Sequence, residues 1–283
     1  MIQTATAAMR RGARSDAEAF QYIIDTIYER SGIRLHEGKE SLIQARLGKR
    51  LRQLEIQTLS EYCDLLRTGN ADQEFEYLVN ALTTNFTSFL REKDHFAFLI
   101  NHALPEVLPA SEKRFHIWSA ACSSGEEPFT LAFYLSEHYP AISGWEWKIT
   151  ASDISTKVLN AAKSGLYAED RISSLPPEWR RKYFQKGIGK WAGHVRVKRT
   201  VAEHIEFRQI NLIGSYDHPH SFPVIFCRNV MIYFDRPTQE RLVNQMCRHL
   251  SPKGFLLIGH SESLNGLQLP LRCIRPSIYQ KTS

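Results

Sequence analysis

The stretch HIWSAACSSGEEPFTLAFYL, residues 116–135, changes character twice. From Phe115 to Ser119 it has the composition of a buried strand. It then runs through small residues: Ala120, Ala121, Cys122, Ser123, Ser124 and Gly125. Glu126, Glu127 and Pro128 follow, and after them apolar positions at helical spacing. The expected local structure is strand, tight turn, helix. A dinucleotide site at such a turn needs several glycines, so that backbone amides can approach a pyrophosphate. Here there is one glycine, and an acidic pair stands at the positive end of the helix, where an anion would sit. The turn therefore suits a ligand that packs against backbone but is not a phosphate.

Strands and helices alternate from this point to the C-terminus. RFHIWSA, WEWKITASD, HIEFRQIN, FPVIFCRN and GFLLIGH have strand character, with helices between most of them. That alternation predicts an α/β fold with a doubly wound, mostly parallel sheet. LRCIRPSIYQKT is expected to close it as an antiparallel hairpin. Upstream, residues 16–83 show only helical periodicity and predict a small all-helical domain, whose first helix ends at Gly32. Residues 1–15 are expected as a frayed arm, 84–113 as a linker and 114–283 as the α/β domain. Within the latter, residues 167–203 are too long for an ordinary loop. KYFQKG and HVRVKRTV alternate like strands around GIGKWAG, so a small antiparallel β insertion is expected. Its charge is lopsided, with Arg171, Arg180, Arg181, Lys182, Lys186, Lys190, Arg196, Lys198 and Arg199 against four acids.

Composition narrows the class. The 283 residues are 43% hydrophobic and 23% charged, as in a globular protein with a real core. The net charge of +6 points to acidic partners. No apolar run is long enough to span a bilayer, and no secretory signal is expected at the N-terminus. The five cysteines include no C-x-x-C pair and suit reduced thiols in the cytoplasm. His36 and His95 stand isolated in the sequence, and no metal is expected.

Asp153 ends the second strand of the α/β domain. A carboxylate there can accept both hydroxyls of a ribose, although the same residue could simply cap the next helix. Small residues in the turn, a carboxylate on the second strand and acids at the helix start together favour a cationic nucleoside. S-adenosylmethionine is one. Polar groups on NALTTNFTSFLREKDHF (Asn85, Thr87, Arg91) could hold its carboxylate or the substrate. Asn211 ends the third strand, and Cys227, Arg228, Asn229 and Tyr233 follow the fourth, where a transferred methyl group would face. Other readings remain open. GHSES (259–263) mimics a hydrolase nucleophile elbow but lacks its second glycine. A nucleic-acid methyltransferase suits the basic charge, but CRNV is not the Asn/Asp-Pro-Pro-Tyr motif of amine methylation. A non-catalytic donor-binding docking module is the third.

TTNFTSFLRE, WSAACSSGEEPFT, ASDIS, INL, FCRNVMIYF and GHSE occur in this order. In that pattern, from about residue 16 to 281, the chain resembles the chemotaxis receptor methyltransferase family, CheR. The resemblance implies an S-adenosylmethionine methyltransferase fold. It also implies S-adenosylmethionine as donor, S-adenosylhomocysteine as product, and glutamate γ-methyl esters formed on chemoreceptor cytoplasmic helices. It assigns donor binding to Asn85, Thr87, Arg91, Glu127, Asp153, Asn211, Leu212, Cys227 and Arg228, and places Arg91 and Tyr233 nearest the methyl group. Cys122 and Phe129 depart from the family pattern without threatening the donor site. A monomer is expected, with no nucleic acid bound and no membrane insertion. Receptor docking is expected at Arg46, Lys49 and Arg50, on a helix with no acid from Ser41 to Leu54. Lys186, Lys190, Arg196 and Lys198 of the insertion are expected to meet a receptor C-terminal peptide.

Overall fold

The structure is a computed structural model. It describes residues 2–35, 38, 40–68, 71–109, 111, 113–140 and 143–282, with side chains from residue 16 onward, Ala71 excepted. Two compact units divide the chain, Met1–Thr84 and Asn85–Ser283. His36 lies outside the described residues.

The first unit is all-helical: α1 (Ile2–Ser31), α2 (Glu40–Gln53), α3 (Leu59–Arg67) and α4 (Ala71–Leu82). Apolar residues three and four apart face inward, with Ile23, Ile27, Ile43, Leu47, Tyr62, Leu66, Leu78 and Leu82 buried. Thr58 caps α3 by accepting from the Glu61 amide at 3.2 Å, and the Glu61 carboxylate accepts from the Gln57 amide at 3.0 Å. Gly32 ends α1 at φ 72°, as its position in the sequence suggests. The arm expected over residues 1–15 is instead helical from Ile2, continuing α1. Its alanines and arginines are strong helix formers.

The second unit opens with α5 (Asp94–Phe98), a π-helical turn (Leu99–Ala103) and α6 (Leu104–Val107). These belong to the segment expected as a linker, and the structure corrects that reading. Phe89, Phe96, Phe98, Leu99 and Leu104 lie in the same buried cluster as Ile117, Phe133 and Phe226. Stripping those side chains from the core would expose several large apolar groups, each worth about 1.5–3 kcal/mol of burial.

The elements that follow are β1 (Arg114–Ala120), α7 (Glu126–His138), β2 (Glu146–Asp153), α8 (Thr156–Ser164), β3 (Leu166–Ala168), α9 (Pro177–Tyr183), β4 (Phe184–Lys186) and β5 (His194–Val197). Then come α10 (Arg199–Ala202), β6 (Ile205–Gln209), β7 (Phe222–Cys227), α11 (Arg236–His249), β8 (Leu250–Ile258), β9 (Leu271–Arg275) and β10 (Ile278–Lys281). The seven-stranded sheet has the order β6-β2-β1-β7-β8-β10-β9. Its first five strands run parallel, and β10 is antiparallel to both β8 and β9. The chain moves outward from β1 to β2 and β6, then returns to the other side of β1 as β7. That reversal opens a crevice at the carboxyl ends of β1 and β7. The insertion is a three-stranded antiparallel sheet, β3-β5-β4. The expected strands from KYFQKG and HVRVKRTV are β4 and β5. The short strand β3 joins them because its backbone supplies the ladder for the far edge of β5.

Candidate active site

The turn after β1 is conformationally costly. Ala121, Ser123 and Gly125 have φ of 63°, 50° and 96°. Each non-glycine residue held in the left-handed region costs about 1–2 kcal/mol. Surrounding groups hold the turn in place. Cys122 N donates to Ser152 O at 2.8 Å, Ser123 N to Asp153 Oδ2 at 2.9 Å, and Ser123 Oγ to Asn85 O at 2.8 Å. A Cβ at Gly125 would lie 2.9 Å from Ala162 Cβ and 3.0 Å from Tyr167 Oη, so only glycine fits. One glycine suffices because the small residues around it, not further glycines, provide close approach.

Asp153 sits at the carboxyl end of β2, 7% exposed. Its Oδ2 accepts from Ser123 N, and its Oδ1 from Ser155 N at 3.0 Å. The helix cap of α8 is Ser155, whose side chain accepts from Val158 N, which removes capping as the reason for Asp153. With three amides bonded to it, the carboxylate keeps acceptor capacity for a ribose hydroxyl. Burial pushes its pKa up, against the amide hydrogen bonds of Ser155, Ser123 and Ile154. Asn211 and Leu212 follow the neighbouring strand β6, and Ile210 N donates to Asp153 O at 3.1 Å. Asn211 Oδ1 accepts from Ile213 N, and Leu212 is buried.

A charge network closes the other side of the crevice. Arg228, directly after β7, donates Nη1 to Glu127 Oε2 at 2.8 Å, Nη2 to Glu92 Oε2 at 2.8 Å and Nη2 to Arg91 O at 2.6 Å. Glu92 Oε1 accepts from Asn229 Nδ2 at 3.2 Å and from His260 N at 3.3 Å. Burial alone would raise the pKa of Glu92, but the Arg228 guanidinium and these hydrogen bonds hold it at about 2. Glu127 moves the other way. Its burial outweighs its share of the same guanidinium and the bond from Ser119 Oγ at 2.7 Å. Arg228 gives two N–H groups to Glu92 and one to Glu127, so Glu92 is the firmly ionised partner. His95 and His260 join Glu92 in a tight group, so His95 is not isolated in space. Burial, first, and Arg228 lower the His95 pKa to about 3 and keep it neutral. Glu92 accepts hydrogen bonds at both oxygens, His95 Nδ1 lies 3.5 Å from Glu92 Oε2, and His95 Nε2 meets Ser277 Oγ at 2.8 Å.

Glu126, fully buried, pairs with Arg171 and accepts from Ser124 Oγ at 2.6 Å. The acidic pair at the start of α7 therefore does not present two open charges, as its sequence position suggests. Each glutamate has its own arginine. Cys227 is fully buried, its thiol pushed up by burial, so any ligand contact there is through backbone. Of the candidates for methyl transfer, Arg91 is half-buried and donates Nη1 to Phe86 O at 3.0 Å. Tyr233 lies half-buried in a 3-10 turn, Met231–Tyr233. Their two segments are joined by the Arg228 bonds to Glu92 and Arg91 O. Thr87 is buried, and its carbonyl accepts from Arg171 at 3.0 Å.

Sequence reasoning gave no supporting role to Glu92, Arg171, Tyr167 or Glu262. Glu262 accepts from the amides of Asn229 (2.9 Å), Met231 (2.7 Å), Ile232 (3.3 Å) and Gly259 (2.5 Å). A single carboxylate thus shapes the turn that carries Tyr233, which explains GHSE without a hydrolase. The motif had singled Glu262 out; its bonding could not be read from it.

Two of the three docking candidates on α2 are engaged within the helical unit. Arg46 Nη1 donates to the carbonyls of Ala81, Leu82 and Thr83 at the end of α4. Arg50 pairs with the buried Glu74 and lies over the Tyr77 ring. Both hold α2 against α4, while Lys49 stays exposed. In the insertion, Lys198 Nζ donates to the carbonyls of Arg181 and Lys182, and Arg196 to that of Ser164. Lys186 pairs with Glu169 at 2.8 Å on the surface. Lys190 stays exposed beside the Trp191 ring.

Residues 85–279 match the model of the CheR methyltransferase SAM-binding domain, and residues 18–83 that of the CheR methyltransferase all-alpha domain. The chain belongs to the CheR methyltransferase family. It is 40% identical to the chemotaxis protein methyltransferase of Salmonella typhimurium over 259 residues, 91% of this chain and 88% of that one. The Escherichia coli chemotaxis protein methyltransferase is 39% identical over the same shares of the two chains. Chemotaxis protein methyltransferase 2 of Pseudomonas aeruginosa is 39% identical over 265 residues, 93% of this chain and 92% of that one. The family boundary at residues 83–85 coincides with the division between the two compact units. As a CheR methyltransferase the chain uses S-adenosylmethionine, and its crevice fits that donor. Asp153 lies beside the turn after β1, which permits close approach, and Ile210, next to Asn211, donates to the Asp153 carbonyl. No helix among the described residues is long and apolar enough to cross a membrane.

Asp153→Ala should weaken binding of S-adenosylhomocysteine about 10–100-fold, since losing a hydrogen bond to a charged group costs roughly 1.5–3 kcal/mol. It should also lower stability, because two turn amides lose their acceptor. Asp153→Asn keeps one acceptor and should fall between. Calorimetry and urea melts check this; a variant with unchanged affinity would remove Asp153 from the donor site.

Proposed function

We propose that the protein transfers the methyl group of S-adenosylmethionine to glutamate γ-carboxylates on the cytoplasmic helices of chemoreceptors, forming methyl esters that tune sensory adaptation. The observation that carries this reading is the pair of segments bearing Arg91 and Tyr233. Arg228 and Glu92 join them at the mouth of the crevice whose other wall holds Asp153. The named relatives, chemotaxis protein methyltransferases about as long as this chain, support it.

S-adenosylmethionine, when bound, supplies an electrophilic methyl group on a sulfonium. The acceptor glutamate is ionised at neutral pH, with an unperturbed pKa of about 4.3, so the protein need not remove a proton. Its residues have to orient the carboxylate and strip it of water. Good alignment is worth about 7–11 kcal/mol. Arg91 and the Tyr233 phenol are suited to hold one carboxylate oxygen and leave the other to react. Tight pairing would blunt the nucleophile, so positioning matters more than charge. The framework cations Arg228 and Arg171 are already engaged with buried acids and do not compete for the acceptor.

The β insertion offers a second receptor contact. Its edge strand β4, with Ile188 85% exposed and Trp191 48% exposed beside Lys190, suits an extended C-terminal peptide carrying an acidic group. Tethering of this kind raises local substrate concentration without altering the chemistry. The protein acts as a cytoplasmic monomer, and of Arg46, Lys49 and Arg50 it is Lys49 that is left exposed to meet acidic receptor helices.

Donor labelled with tritium in the methyl group tests the reaction. Label should enter a receptor cytoplasmic fragment and be released as methanol by mild base, and Tyr233→Phe should slow its entry. Base-stable label, or label in nucleic acid, would overturn the assignment. Calorimetry with a receptor tail peptide tests the docking edge, and absence of heat at high peptide concentration would remove it.

A further inference from the structure

The opening residues of the β insertion reach back into the donor crevice. Tyr167, on β3, donates its hydroxyl to Ser124 O at 2.7 Å. Arg171 lies in the 3-10 turn Glu169–Ile172 that follows. One of its Nη2 contacts is the carboxylate of Glu126, and the other is the carbonyl of Thr87 at 3.0 Å. Two insertion residues therefore grip the strained turn after β1 and the segment 85–92 together. The turn cannot relax toward them, since Gly125 is already packed against Ala162 and the Tyr167 oxygen. Glu126 has no access to water, its side chain being 1% exposed, so Arg171 is its required counter-charge. Ser124 Oγ holds the other Glu126 oxygen and completes a ring from the insertion to the turn.

We propose that Arg171 and Tyr167 are positioning residues for donor binding, and that donor occupancy and the fold of the β insertion are thereby coupled. The inference rests on the donor occupying this crevice and not on which acceptor is methylated. A turn held at positive φ keeps that shape only while its neighbours over-determine it. Slackening the clamp lets the turn, the Thr87 carbonyl and Glu126 depart from the geometry a close-packed ligand needs. By linkage, a ligand that requires the clamped turn stabilises the clamp by the same factor. The insertion is then not separate from the active site, as its place in the sequence suggests.

The test measures S-adenosylhomocysteine binding to the full chain by calorimetry, and the kinetics of methyl transfer, for Arg171→Ala, Arg171→Lys and Tyr167→Phe. Arg171→Ala should raise the donor dissociation constant and donor KM at least tenfold, with kcat at saturating donor within about twofold of wild type. Arg171→Lys should recover part of the loss, and Tyr167→Phe should weaken binding several-fold. In wild type, S-adenosylhomocysteine should slow amide exchange across residues 166–172, and in Arg171→Ala it should not. Wild-type affinity in folded Arg171→Ala would overturn the proposal, as would a fall in kcat with donor KM unchanged. Should Arg171→Ala not fold, Arg171→Met with Glu126→Gln removes the buried carboxylate charge together with its counter-charge. That pair should fold and still bind weakly, and tight binding by it would equally overturn the clamp. Label entering an acceptor other than glutamate, with the donor affinities as expected, would count against the methylation reading alone.

Discussion

Arg228→Ala is expected to destabilise the catalytic unit by about 3–5 kcal/mol, the cost of breaking a buried ion pair from one side. The guanidinium is 2% exposed, and its partners Glu92 and Glu127 are 13% and 11% exposed. Removal leaves two carboxylates facing each other in a poorly hydrated site. It also releases Arg91 O and uncouples the segment of Arg91 from the turn of Tyr233. Since a domain's whole stability is about 5–15 kcal/mol, the variant should unfold at markedly lower urea concentration. Donor binding should weaken with it. Adding Glu92→Gln and Glu127→Gln to the variant removes the uncompensated charges, and stability should recover while activity does not. A loss of unfolding free energy below about 1 kcal/mol in the single variant would show that the network is dispensable for folding.

Glu262→Ala should act on the chemical step. The carboxylate accepts four backbone amides, three of them in the turn that leads to Tyr233. The turn is otherwise awkward. Asn229 has φ of 58°, and a Cβ at Gly259 would lie 2.3 Å from Asn229 Nδ2. Without Glu262 the amides turn to water and the 3-10 segment shifts. A misplacement of about 1 Å can cost roughly 100-fold in rate, and a loss of that order in kcat is expected. S-adenosylhomocysteine affinity should change much less, because Asp153 and the turn after β1 are untouched. Glu262→Gln retains one acceptor oxygen and should keep part of the activity. A kcat within twofold of wild type for the alanine variant would sink this role.

Much of the molecule was legible because local chemistry already points to it. Helical periodicity placed the first unit, and the alternation of strand and helix placed the parallel sheet. The strand–turn–helix at residues 116–135 emerges as β1, the strained turn and α7. Asp153 is offered by the sequence because a carboxylate at the end of a second strand has few uses, and the structure gives the capping of α8 to Ser155. The segment at residues 84–113 was misread for an identifiable reason. Its polar positions give it the character of a linker, while its apolar ones complete the core of a domain that begins thirty residues later in the chain.

Sequence by itself determined the fold class, the two-part organisation and the donor, and it offered residues for donor binding and transfer. Those properties depend on periodicity, on the size of residues in one turn, and on side-chain types at strand ends. The pairing of charges was decided only by the tertiary structure. Arg46 and Arg50 share a helix with no acid from Ser41 to Leu54 and Arg228 follows a strand, yet the first two brace α2 against α4 and the third joins the segments of Arg91 and Tyr233. Glu126 and Glu127 are adjacent, yet they belong to different arginines from residues 171 and 228. An ion pair depends on distance and burial, and a difference of a few ångströms separates a structural bond from a charge available to a partner. Neither quantity is written in the order of residues until the sheet brings the ends of its strands together.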